Sequence, residues 1–191
     1  LIITLEDQLI GASLQLSYTI FDDFPVITRT VKIINNGDHA LSLKKIMSVS
    51  IDLPDADYKM VHLSGTWSRE RHIKERQLVQ GISSISSIRG ASSHHDNPFI
   101  ALKRKETTEH DNEVYGFNFV YSSNFLAQVQ VDHYDTSRVM MGIHPHQFNW
   151  QLNNQESFQT PEVVIVYSNE GLNGMSQAYH NLYRQHLIRD P

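Results

Sequence analysis

The chain has 191 residues, 40% hydrophobic and 19% charged, and its 16 Lys+Arg against 21 Asp+Glu give a net charge of −5. That length suits one domain, or one large half of one, with a sizeable core, and the lack of a long basic block argues against nucleic acid or an acidic membrane as partner. With no cysteine, disulfides, thiolate metal sites and cysteine nucleophiles are excluded, which is compatible with a cytoplasmic protein.

No apolar run reaches the ~20 residues that span a bilayer. Leu1 to Asp7 opens inside a strand-like run without an initiating Met, and it lacks the basic region and small-residue cleavage site of a signal peptide. A fragment of a longer protein is the expectation. Ser13 to Phe21 alternates, with Leu14, Leu16, Tyr18 and Ile20 on one side, which predicts a strand with one buried face. Val26 to Ile34 is a second β-rich run. Asn35-Asn36-Gly37-Asp38 predicts a hairpin, because Asn-Gly accepts positive φ. Leu41 to Leu53 follows, with a bulge or loss of pairing expected near Lys44-Lys45. Pro54 to Asp57 turns the chain into a strand over Tyr58 to Leu63.

Leu63 to Leu102 then changes character: Gly, Ser, His and Arg concentrate between two apolar stretches. The expectation is a functional segment carried on loops by a rigid scaffold. Beyond it, strands are predicted over Phe99–Lys105, Glu113–Tyr121, Phe125–Val131, Arg138–Ile143, Gln147–Leu152 and Glu162–Tyr167. In the second of these, Tyr115, Phe117, Phe119 and Tyr121 share a face. Leu172 to Ile188 carries Leu172, Met175, Tyr179, Leu182, Tyr183 and Leu187 at helical spacing, with Arg184, His186 and Arg189 suiting the dipole at its end. About ten strands and one helix make an all-β sandwich with an exit helix.

Three groupings of residues invite a chemical reading. Trp67 with Arg69 and Arg71 sits among Gly65, Thr66 and Ser68; aromatic faces stack on sugars, and arginine forks bind hydroxyls or carboxylates. Packing of Trp67 at a sheet or domain contact is the competing reading. His94-His95-Asp96 and His144-Pro145-His146 hold metal-ligand types, but neighbours on a strand point oppositely, so solvated or hydrogen-bonded histidines are expected. Among Asp52, Asp55, Asp57, Glu70, Asp96, Glu156 and Glu162, no pair stands out as the facing carboxylates of a glycosidase. There is no nucleophile elbow and no phosphate loop. Lys103-Arg104-Lys105 reads as a solvated strand end. No cofactor is expected.

Several motifs occur in order: Leu63-Ser64-Gly65-Thr66-Trp67-Ser68-Arg69-Glu70-Arg71-His72, Arg89-Gly90-Ala91-Ser92-Ser93-His94, Asn97-Pro98-Phe99-Ile100-Ala101-Leu102, Glu113-Val114-Tyr115-Gly116-Phe117, Thr160-Pro161-Glu162-Val163-Val164 and Tyr167 to Ser176. Together they resemble the N-terminal domain of bacterial α-galactosidases of glycoside hydrolase family 36. The resemblance implies a galactose mutarotase-like β-supersandwich over 1–170, lacking its first strands, with 171–191 a helix leading toward a (β/α)8 barrel. It implies a retaining hydrolase of terminal α-galactose in melibiose and raffinose-type oligosaccharides. Both catalytic aspartates belong to the barrel, so no catalytic residue is assigned in this chain. It further implies a homo-tetramer in which the sandwich of one subunit lines a neighbour's active site. Trp67, with Arg69 as companion, is the matching substrate-binding position. The alternatives are an autonomous galactoside-binding sandwich and, more weakly, a mutarotase-like enzyme.

Overall fold

The computed structural model describes residues 1–188. Its strands are β1 (Ile2–Asp7), β2 (Ala12–Ile20), β3 (Val26–Asn35), β4 (Leu41–Leu43), β5 (Met47–Leu53), β6 (Lys59–Thr66), β7 (Arg69–Gln77), β8 (Gly81–Ser87), β9 (Asp96–Lys103), β10 (Val114–Phe119), β11 (Phe125–Val131), β12 (Ser137–Ile143), β13 (Trp150–Leu152), β14 (Ser157–Gln159) and β15 (Val163–Ser168). The helix α1 (Gly171–Leu182) continues into a π-helical turn, Tyr183–Leu187.

A nine-stranded sheet runs β1-β2-β3-β15-β10-β9-β6-β7, with β14 also paired to β3. A second sheet, β5-β12-β11-β8, covers part of its inner face, and β13-β4 forms a short ribbon. All these strand pairings are antiparallel. This is the expected all-β supersandwich with one C-terminal helix.

The period-two pattern of β10 decides where the core lies. Phe117 and Phe119 point inward, with Tyr115 and Tyr121 packed beside them, against Ala127, Val129 and Val131 of β11 and Val139 and Met141 of β12. The intervening residues face α1. Gly116 leaves the gap that α1 fills: a Cβ there would lie 2.7 Å from Met175 Sδ. Tyr179 is buried in the same layer, and its hydroxyl donates to the Val164 carbonyl at 3.1 Å. The large sheet is therefore covered on both faces at its centre and on neither at its β1–β2 wing. There Leu16 and Tyr18 are only half-buried and Ile20 is 70% exposed, so the expected buried face of β2 is not realised.

Three further expectations change. Asn35-Asn36-Gly37-Asp38 does not close a hairpin: β3 pairs with β2, β14 and β15, while β4 pairs with β13. Asn35, fully buried, uses its side-chain amide to donate to His39 and Leu152 carbonyls and its Oδ1 to accept from Gly37 N–H. The Asn thus organises a junction of distant segments rather than a local turn. Regular pairing does lapse around Lys44-Lys45, between β4 and β5. The helix ends at Leu182 rather than Ile188, and the π turn brings His186 to Phe21 and Phe24, with ring centroids at 5.3 and 5.7 Å. Arg189 lies outside the described residues.

The largest correction concerns Leu63 to Leu102. It is not mainly loop: β6 runs on to Thr66, β7 and β8 are regular strands, and β9 begins at Asp96. β7 escaped recognition because all nine of its residues are exposed, so no apolar alternation marks it. β8 is serine-rich and forms the edge of the small sheet.

The β6–β7 hairpin carries a bulge. Ser64 pairs with His72, but Thr66 pairs with Arg69, so Gly65 faces an extra residue on β7. Arg71 takes up the bulge with φ 58°. An added Cβ on Gly65 would sit 2.0 Å from the Arg69 carbonyl oxygen, so only glycine permits this approach. Gly65→Ala is expected to cost on the order of 1–3 kcal/mol, as overpacking does. Hydrogen exchange should accelerate in 64–77 while β10 stays protected, and chemical denaturation of the variant should show the loss.

Candidate functional site

The tip of the β6–β7 hairpin is Trp67-Ser68, between the paired residues Thr66 and Arg69. Ser68 adopts φ 64°, and its N–H donates to Glu70 Oε1 at 2.8 Å. Backbone N–H groups at Glu70 and Ser68 hold the Glu70 carboxyl below the usual carboxylate range. Trp67 is 82% exposed. A side chain of that size projecting from a tight, glycine-dependent turn has no part in the core.

Arg69 and Arg71 part company. The bulge returns Arg69 to the face of His72 and Lys74, where with Ser64, Thr66, Ser68 and His95 it lines a hollow of about 740 Å³. Arg71 lies instead beside Ile73 and Leu63 on the opposite face. There a cavity of about 770 Å³ opens under α1, walled chiefly by Val61, Leu63, Ile73, Phe99, Met175 and Tyr179.

The two ends of the polar segment meet at this hairpin. Gly65 N–H donates to the His95 carbonyl at 3.1 Å, and Ser64 pairs with Asp96. The rings of His94 and His95 lie 4.5 Å apart. Behind them, Gly90 N–H donates to Asn124 Oδ1 at 2.7 Å and Ser87 Oγ donates to the Ala91 carbonyl. His144 and His146 lie apart from this cluster, with His146 N–H donating to His144 Nδ1. Among the described residues, no three His, Cys, Asp or Glu side chains converge as a metal site.

The carboxylates singled out in the sequence serve other ends. Asp52 takes a two-pronged bond from Arg138 at 2.6 and 2.8 Å. Asp55 and Glu113 share Arg104, whose guanidinium lies 4.0 Å over the Tyr58 ring. That pairing holds the Asp55 carboxyl low, while burial pushes the Tyr58 hydroxyl up to about 12. Asp57 pairs with Lys105 at 2.6 Å, and Glu156 accepts from Asn153. The 103–105 run is thus ion-paired rather than freely solvated, since Lys103, 8% exposed, contacts Glu75 at 2.6 Å.

His72 and Lys74 were not read as site residues from the sequence. The signal was a period of two in basic rather than apolar side chains: His72, Lys74 and Arg76 share one face of β7. The apolar cavity under α1 gave no comparable warning, because its walls come from separated strands.

His62 lies directly behind the hollow, across from Lys74 and 3% exposed. Neither ring nitrogen has a hydrogen-bond partner, and Nδ1 stands 4.0 Å from Asp96 Oδ1. Burial first, then Arg76 and Lys74, depresses the His62 pKa, whereas burial raises that of Asp96. With its folded pKa below the unfolded one, His62 resists protonation only when folded. Stability is therefore full above the ordinary histidine value and falls as pH drops through it. Asp96 has the opposite sign and acts lower, near the carboxylate range. His62→Leu should flatten the loss between about pH 7 and 5 by up to ~1.4 kcal/mol per pH unit. His144, also depressed by burial and by His146, keeps a share of the slope. Denaturant midpoints across that range measure it.

Comparison with known proteins bears on this arrangement. A family model described as the glycosyl hydrolase family 36 N-terminal domain matches residues 1–153, and one described as melibiase matches 157–191. The chain is similar to α-galactosidase AgaA of Geobacillus stearothermophilus, 56% identical over 187 residues, which are 98% of this chain and 26% of that protein. It is 46% identical to α-galactosidase 1 of Pediococcus pentosaceus over 189 residues, 99% of this chain and 26% of the other. The crystal structure of a Geobacillus stearothermophilus AgaA variant in complex with stachyose superposes with a TM-score of 0.97 at 55% identity, covering 98% of this chain and 26% of that one. The chain thus spans about a quarter of the length of these relatives. The motifs, the supersandwich and the family models agree, and the chain belongs to glycosyl hydrolase family 36, whose N-terminal domain it carries.

Proposed function

We propose that this chain is a non-catalytic N-terminal domain of a cytoplasmic, retaining α-galactosidase that hydrolyses terminal α-galactosyl residues of melibiose and raffinose-type oligosaccharides. Relatives named as α-galactosidases, one of which, AgaA, is solved as variants with stachyose and with raffinose, support the substrate class. Asp52, Asp55 and Asp57 are engaged in ion pairs and Glu70 and Glu156 in turn hydrogen bonds, which fits chemistry carried out by a barrel elsewhere in the protein. In this reading 1–170 is the sandwich and 171–191 leads toward that barrel. The apolar cavity under α1 gives the barrel a surface to pack on.

The domain's contribution is assembly and shape. We assign Trp67, with Arg69 beside it, to the wall of the sugar pocket of an adjacent subunit in a homo-tetramer. The observation that carries this is the exposure of Trp67 at the tip of a hairpin held by a bulge. Rigid elements position such groups better than loops do. The indole face can stack on the C–H face of a sugar, and the Arg69 fork can reach its hydroxyls.

The test compares three proteins on melibiose: the full-length enzyme, its Trp67→Ala variant, and the 191-residue chain alone. Trp67→Ala is expected to raise KM with the tetramer intact, at a cost of about 1–3 kcal/mol in binding, typical of stacking on an aromatic. Folding stability should move by no more than about 0.5 kcal/mol. An unchanged KM in an intact tetramer removes Trp67 from the pocket, and galactose release by the chain alone overturns the non-catalytic assignment.

A further inference from the structure

The β1–β3 wing has an apolar face and a polar face, and the apolar one is uncovered. In register, Ile3 opposes Leu16 and Leu5 opposes Leu14, while Leu16 opposes Val31 and Ile20 opposes Ile27. Directly paired residues share a face. Ile27 opposes Ile165 and Arg29 opposes Val163, so this is the inner face, continuous with the core. The other face carries Thr4, Glu6, Gln15, Ser17, Thr30 and Lys32. That contrast belongs to a sheet covered on one side, yet Ile3, Leu5, Ile20 and Ile27 are exposed. The small sheet ends at β5, over β3.

Arg29 marks that border. It is 7% exposed, and its guanidinium lies 5.2 Å over the Tyr18 ring. Nη1 donates to the Ser50 carbonyl at 2.9 Å, whereas Nε has no partner. Among the described residues, no carboxylate pairs with it. A buried guanidinium is costly without a counter-charge and a full set of acceptors. The face itself has none to give. Of the strand residues on this side of β1–β3, Asp7 alone carries a carboxylate, and it accepts from Leu9 and Ile10 N–H in the β1–β2 turn.

We propose that this face seats a segment of the full-length protein outside residues 1–191, which lays apolar side chains on β1–β3 and pairs a carboxylate with Arg29. The chain spans 26% of its α-galactosidase relatives, so polypeptide for this purpose lies outside it in them. A second copy packed face to face across a two-fold axis would bring the same surface, and with it no unpaired carboxylate for either Arg29. The alternation of β2 thereby has its buried face, with the cover supplied from outside these residues. Neither the substrate nor the role of Trp67 enters this assignment.

The test is made on the full-length protein in its native assembly. Hydroxyl-radical oxidation, read by mass spectrometry and normalised to intrinsic reactivity, needs no variant. Leu5 and Ile20 should be oxidised as slowly as Leu102 of the core, and should stay so when the subunits are dissociated. Oxidation several-fold faster than at Leu102 overturns the proposal, and protection lost on dissociation assigns the face to a second copy instead. Carbodiimide labelling of carboxyl groups then identifies the partner of Arg29. In Arg29→Met, one Asp or Glu outside residues 1–191 should gain label several-fold, while Arg29→Lys, which keeps the charge, should hold it near the wild-type level. A folded Arg29→Met variant in which no carboxyl gains label, or in which the one that gains lies within residues 1–191, overturns the pairing. If neither variant folds, the oxidation result decides.

Discussion

Two-sided burial of the β9–β10 pair is the constraint on which the rest of the molecule depends. Ile100, Leu102, Phe117 and Phe119 are at most 1% exposed on the inner side. On the outer side Ala101, Val114 and Gly116 meet α1. Each strand offers large residues inward, and where α1 comes closest, at Ala101, Val114 and Gly116, small or β-branched ones outward. Phe117→Ala would remove a side chain from the middle of the inner layer, the kind of loss that costs several kcal/mol in a close-packed core. The small sheet and the helix both take their position from this pair, and so does β6, which is hydrogen-bonded to β9 along most of its length.

The hairpin inherits that rigidity and carries it to the surface. β6 is buried at Met60, Val61 and His62, then leaves the covered zone. Beyond Leu63 no second layer exists to select apolar side chains, so the sequence turns to Ser, Gly, Thr and Trp. The Gly65 bulge rotates Arg69 to the face of Lys74, and the turn beyond it leaves Trp67 exposed. A strand anchored in a core at one end and free at the other is a suitable lever for reaching another molecule. Its free edge, in turn, is protected from non-specific strand pairing by charge, since β7 carries Arg69, Arg71, Lys74 and Arg76 beside Glu70 and Glu75.

How much of this was legible in the sequence follows from which faces are buried. Strands whose two faces differ in side-chain size or polarity announced themselves by alternation: the aromatic side of β10 and the Ala127-Val129-Val131 side of β11 were read in the correct phase. β7 was hidden because an edge strand exposed on both sides gives hydrophobic periodicity nothing to act on, and β8 because its inward positions are Ser83, Ile85 and Ser87, only one of them apolar. The Asn-Gly signal misled for a different reason. Its local preference for a tight turn was overridden by Asn35 bonding to residues as distant as Leu152, a partner that no short-range pattern reveals. The candidate site was half legible: Trp67 and Arg69 stood out by composition, whereas His72 and Lys74 needed the strand register before they could be placed on the same face.

The distribution of charge explains why this domain suits a supporting role. A glycosidase needs two carboxyl groups held apart across a bond, free to exchange protons with substrate. Here Asp52, Asp55, Asp57 and Glu113 are bound to guanidinium or ammonium groups, and Glu70 and Glu156 close turns. Arg138 and Arg104 hold the Asp52 and Asp55 carboxyls low, and turn N–H groups do the same for Glu70 and Glu156, the reverse of what a general acid requires. Among the carboxyls of the described residues, Asp96 alone is raised, by burial. Its nearest titratable neighbour is the buried His62 rather than a second carboxylate across an open cleft. Around the β6–β7 hairpin the exposed groups are an indole, guanidinium groups and imidazoles, a set suited to recognition.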